Sequence, residues 1–86
     1  MKIQTTQPFD QDYETLPEEI KERADKQFTL LLENPRHPSL RLKKIKGIKD
    51  IWEGRITRDY RFTFQIDGDT YILRRIGKHD QTLRNP

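Results

Sequence analysis

The stretch Tyr60-Arg61-Phe62-Thr63-Phe64-Gln65-Ile66 alternates large apolar and polar side chains, and it stands between two other runs rich in aromatic and branched residues. Strict alternation is the signature of a strand with one buried and one polar face. Ile51–Thr57 precedes it across Arg58-Asp59, and Thr70–Ile76 follows it across Asp67-Gly68-Asp69. Asp-Gly between two such runs is a strong hairpin signal, because the turn needs a residue that accepts positive φ. Tyr60, Phe62, Phe64 and Ile66 are expected on the core side, with Arg61, Thr63 and Gln65 on the other. Three antiparallel strands of this kind cannot bury their apolar face alone, so the rest of the chain has to cover it.

The N-terminal half supplies the cover. Lys2–Thr6 is a short strand candidate that Pro8 ends. Phe9, Tyr13 and Leu16 then recur at helical spacing, and Ile20, Ala24, Phe28 and Leu31 form a second stripe behind Pro17 and the acidic first turn Glu18, Glu19, Glu22. Proline at a helix start and carboxylates near the positive end of its dipole mark the beginning of that helix. Asn34-Pro35 ends it. The expected fold is α+β: an N-terminal strand and a helical hairpin packed on an antiparallel sheet of three to four strands. Arg36 to Lys49, stiffened by Pro35 and Pro38, is read as an extended basic loop.

The chain has 86 residues, so it is read as one domain over residues 1–86. A domain of this size buries roughly 60–65% of its unfolded surface, and its core is thin. Only 31% of residues are hydrophobic and 36% are charged. The eight aromatics sit in periodic segments, which favours a folded module that leans on a partner over a solvated coil. Without cysteine the chain has no disulfide, thiolate metal site or cysteine nucleophile. No apolar run is long enough to span a bilayer, and no secretory h-region is present, so a cytoplasmic protein without membrane association is expected. Charge is segregated. Residues 1–33 hold four basic against eight acidic side chains, and residues 36–61 hold nine basic against three acidic ones. Such asymmetry points to a polyanion or an acidic partner on one surface, against the plainer reading of a solvated basic loop.

Taken together, the short strand, the helical hairpin ending near Asn34-Pro35, the basic loop, Ile51-Trp52-Glu53-Gly54-Arg55-Ile56, Asp59-Tyr60-Arg61 and Ile76-Gly77-Lys78-His79-Asp80 resemble the RelE/ParE superfamily of toxins from type II toxin–antitoxin systems, over nearly the whole chain. The resemblance implies a compact toxin neutralised by a cognate antitoxin. RelE-like and YoeB-like members cut messenger RNA in the ribosomal A site, whereas ParE-like members poison DNA gyrase. The expected activity is therefore a ribosome-dependent endoribonuclease acting on mRNA, with a ParE-like gyrase inhibitor or an inactive antitoxin-binding module as alternatives.

Metal-free cleavage through the 2′-hydroxyl needs a base, a cation on the scissile phosphate and an acid for the 5′-oxygen. Arg61 matches the arginine of the family's strand motif and suits the phosphate; the plainer reading is an ion pair on the sheet face. His79 stands where the family carries arginine or histidine and suits the acid. Lys43, Lys44 and Lys46 occupy the stretch where RelE-like enzymes place lysines and YoeB-like ones a glutamate. Lys43 and Lys44 are catalytic candidates, and Lys46 is one for RNA attraction. Glu53 is a candidate base or the ion-pair partner of Arg55. Arg41, Arg55, Arg58, Arg75 and Lys78 complete the expected RNA-binding set. His37, between prolines, is read as structural, and Trp52 as core. The two histidines lack ligand spacing, so neither a metal nor a small-molecule cofactor is expected. One departure stands out: family nucleases commonly end with a tyrosine, and this chain has Leu83-Arg84-Asn85-Pro86.

Overall fold

The computed structural model describes all of residues 1–86. Its elements run β1 (Lys2–Thr5), α1 (Gln7–Glu14), α2 (Glu18–Glu33), a 3-10 turn (Pro38–Leu40), β2 (Lys43–Lys44), β3 (Trp52–Arg55), β4 (Tyr60–Asp67), β5 (Thr70–Lys78) and α3 (His79–Arg84). Thr6 caps α1 through its hydroxyl, which accepts from Phe9 N at 3.3 Å. Pro17 precedes α2, and Asn34 closes it by donating its N–H to Leu30 O.

The sheet is five-stranded, in the order β1-β5-β4-β3-β2. This corrects the expected three to four antiparallel strands in two respects. β1 lies parallel to β5, Ile3 opposite Tyr71, and is tied at its ends by Lys2 N to Asp69 O at 2.7 Å and Thr6 N to Leu73 O at 3.1 Å. The basic segment is not all loop: Lys43 and Lys44 pair with Glu53 and Trp52 as an edge strand. Two residues are too few to leave a periodic pattern, and parallel pairing across some 68 positions has no local sequence signal.

The expected hairpin is present, with Asp67 paired to Thr70 and Gly68 at φ +58° in the turn between them. Phe62, Phe64, Tyr71, Leu73 and Ile76 meet Phe9, Leu16, Ala24, Leu31 and Leu40 in one core. Phe28 stands edge-on to Phe62, with ring centroids 5.1 Å apart, which joins α2 to the sheet. A bulge between Thr63 and Phe64 interrupts the β4–β5 register. Ile66, expected in the core, is exposed, because it sits beside the hairpin tip beyond the core cluster. Thr63, expected on the polar face, is fully buried; its hydroxyl donates to Pro86 O at 3.1 Å. The sheet face opposite the core is thus partly covered by α3 and the residues after it, and Arg74 Nε also donates to Pro86 O.

Candidate functional site

β5 ends by running directly into α3, and this junction creates the site. His79 N donates to Asp59 O at 2.9 Å, which clips the start of α3 to the β3–β4 turn. Arg58, Asp59, Tyr60, Arg61, Lys78, His79 and Asp80 then line one open concavity of about 620 Å³. The structure therefore brings together Arg58, Arg61, Lys78 and His79, four of the residues singled out from sequence. The His79 imidazole is 41% exposed, and its Nδ1 lies 3.6 Å from the Asp80 carboxylate.

Arg61 is held tightly. Its Nη1 donates to the carbonyls of Thr57 (2.5 Å), Arg58 (2.8 Å) and Tyr60 (3.1 Å), and its Nε lies 3.6 Å from Glu53 Oε1. Those carbonyls belong to the turn that also holds His79. Arg61 fixes the turn with Nη1, faces Glu53 with Nε, and has no hydrogen bond from Nη2.

Glu53 is 3% exposed and lies between Arg61 and Lys43, whose Nζ is 3.9 Å from Oε1. Lys43 and Thr63 are its cross-strand partners, so these side chains share the face of the site. Oε2 is buried without a hydrogen-bond partner. The partner expected for Glu53 was Arg55; the side chains that reach it are those of Arg61 and Lys43.

Other candidates lie elsewhere. Lys44, one residue from Lys43, points to the opposite face, with Nζ 5.5 Å from the centre of the Trp52 ring. It thus stands on the face away from Glu53 and Lys43. Arg75 is turned toward the helical layer by the bulge and chelated by Asp12 of α1: Nε to Oδ2 at 2.7 Å and Nη2 to Oδ1 at 3.1 Å. This hydrogen bond raises the pKa of Arg75, outweighing its partial desolvation. The pair ties α1 to β5. Lys46 lies in the exposed turn after β2. Arg41 and Arg55 line a neighbouring pocket. His37 caps the 3-10 turn, its Nδ1 accepting from Ser39 N at 3.1 Å, in agreement with a structural role.

The anchoring role of Asp59 O and the helical form of α3 were not expected. A short helix of polar residues at a chain end has no stripe to reveal it, though Lys78-His79-Asp80 marks its start.

A small α+β protein with a basic concavity at the junction of its last strand and last helix is the class that fold and site define. Residues 3–83 match the family model described as the ParE toxin of the type II toxin-antitoxin system parDE. The chain belongs to this family and is a toxin of a type II toxin–antitoxin system, within the RelE/ParE superfamily. A comparison with curated proteins finds no match. Among solved structures, YafQ from E. coli strain BL21(DE3) is similar, with a TM-score of 0.79 at 15% identity, covering 94% of this chain and 96% of that one. The YoeB/ParE toxin from Agrobacterium tumefaciens gives 0.77 at 21%, covering 92% and 99%. The RelB-RelE antitoxin-toxin complex from Methanococcus jannaschii gives 0.75 at 24%, covering 95% and 98% of the matched chains. Such likeness defines the fold. No helix is long and apolar enough to cross a membrane.

Proposed function

We propose that this toxin is an endoribonuclease that cuts messenger RNA on the ribosome, by metal-free attack of a 2′-hydroxyl on its own phosphodiester. The observation that carries this reading is the accessible His79 imidazole, set beside Arg58, Arg61 and Lys78 in one concavity. A phosphate seated there meets Nη2 of Arg61 and the charges of Arg58 and Lys78, which offset the negative charge that builds up in the transition state. The 2′-oxygen bonds to phosphorus as its proton leaves to a base. The bond from phosphorus to the 5′-oxygen breaks, and His79 as imidazolium gives that oxygen a proton. A 2′,3′-cyclic phosphate and a 5′-hydroxyl result.

Glu53 is too deeply placed to reach the 2′-hydroxyl without a shift, so it acts here by holding Arg61 and Lys43. Lys43, mostly exposed beside Glu53, is the candidate base or a further phosphate contact. The ribosome orders the message for in-line attack. The partners are then ribosome and mRNA, a cognate antitoxin that covers the basic surface, and no small-molecule cofactor, all in the cytoplasm.

One observation favours a second reading, a ParE-like toxin that acts without cutting RNA. Arg61 already engages protein groups through both Nε and Nη1.

Induced expression of the wild type and of His79→Ala, with primer extension on an abundant translated message, decides between them. Reading-frame-phased cuts that fall by about 10²–10⁴ in the variant are expected for a lost general acid. Growth arrest with intact messages and broken DNA would move the activity to gyrase. Normal growth with a stable protein would leave an antitoxin-binding module.

A further inference from the structure

Arg58 also lines a second concavity of about 480 Å³, together with Arg23, Gln27, Ser39, Arg41 and Arg55. Its four arginines come from α2, the segment after the 3-10 turn, β3 and the β3–β4 turn, and no carboxylate lines it. None of the four makes a salt bridge. The pocket is nevertheless built. Gln27 Nε2 donates to Arg55 O at 2.9 Å and Ser39 O at 3.3 Å, so one side chain of α2 ties both walls together. Arg41 adopts φ +45°, ψ +49°, a left-handed conformation that side chains other than glycine enter at a cost. Arg55 is lowered from its ordinary pKa by desolvation and then by the charges of Arg41, Arg61 and Arg58. Like charges gathered without a counter-ion are relieved when an anion enters.

We propose that the pocket of Arg23, Arg41, Arg55 and Arg58 is a second phosphate-binding subsite, holding the backbone of the same RNA strand next to the phosphate at His79. The inference rests on the nuclease reading. Arg58 lines both concavities, so an occupant that uses the two together carries anionic groups at regular intervals, as a polynucleotide does. Guanidinium forks match phosphate oxygens in pairs. Arg23 is the distinctive member, since it comes from the otherwise acidic N-terminal half and lies outside the concavity of His79.

The test is fluorescence anisotropy of a labelled 2′-O-methyl RNA oligonucleotide, which cannot be cut because its attacking hydroxyl is blocked, with the full chain over a potassium chloride series. Arg23→Gln is expected to weaken binding roughly three- to tenfold, the size of one charge-assisted contact. The slope of log K against log salt should fall by about 0.7, one phosphate contact on a single strand. Arg41→Gln, also at an exposed position, should do the same, and Lys2→Gln in β1, at the far edge of the sheet from β3 and β2, should change binding less than about twofold, as a distant surface charge. Melting curves of each variant control for folding.

Unchanged affinity and slope in both arginine variants would overturn the subsite. So would a wild type that cuts messages in cells but does not bind the oligonucleotide, and the nuclease reading would survive either result. A wild type that neither binds nor cuts would end both. Arginine variants that bind RNA normally but lose their antitoxin would reassign the pocket to an acidic protein partner.

Discussion

Glu53 Oε1 lies 3.6 Å from Arg61 Nε, with the glutamate side chain 4% exposed and the arginine side chain 16% exposed. The two residues are therefore coupled in stability as well as position. Removing the arginine leaves a buried carboxylate with only Lys43, which is mostly exposed.

Arg61→Ala is expected to cost about 3 kcal/mol, the usual consequence of stranding a buried charge. Glu53→Gln should cost about 1 kcal/mol or less, because Oε2 already lacks a partner and the amide keeps the shape. The double variant should regain more than half of the arginine loss without regaining RNA cutting. Urea melts of the four proteins complete the cycle, and full additivity would mean that the pair is not coupled.

Arg75 makes the opposite case. Its guanidinium is partly exposed but doubly bonded to Asp12, which also accepts from Ile76 N at 3.3 Å. Arg75→Ala is expected to lower stability by about 1–2 kcal/mol, discounted for solvent screening. Cutting per folded molecule should stay within twofold. A selective loss of RNA binding in a fully stable variant would place Arg75 at the interface.

Gly54 is paired with Phe62 across β3 and β4, and a Cβ there would overlap the buried ring. Gly54→Ala should destabilise by roughly 2–3 kcal/mol or more through overpacking. A thermal melt within a degree of the wild type would show that β3 and β4 can part at no cost.

The Tyr13 hydroxyl donates to Asp25 Oδ1 at 2.8 Å and joins α1 to α2. That bond first, then desolvation and the nearby carboxylates, pushes the phenol up to about 12 from 10.0. The raised pKa means that the folded state holds this proton more firmly than the unfolded one. Its stabilising share is fully present below about pH 10 and is lost as pH rises through about 12. In ultraviolet absorbance titration, Tyr13→Phe should remove a phenolate transition near pH 12; a wild type with no transition there would contradict it.

How much of this was legible before folding varies from element to element. The alternation from Tyr60, the Asp67-Gly68 turn and the stripes of α1 and α2 are local patterns, and each element lies within about two residues of its expected bounds. Arg61 and His79, singled out at Tyr60-Arg61 and Lys78-His79, line one concavity in the structure. That Glu53 meets Arg61 and not Arg55 was not legible, because the choice depends on which cross-strand neighbour extends toward the carboxylate.

The sequence by itself determined the class of fold and the β4–β5 hairpin and marked Arg61 and His79 as candidates, since periodicity, turn chemistry and side-chain type act over a few neighbours. Only the tertiary structure decided that β1 runs parallel to β5, that Arg75 turns to Asp12 across 63 positions, and that Arg23 joins the basic half. Those outcomes depend on contacts between distant segments, whose closure is set by how the whole core packs and not by any local preference.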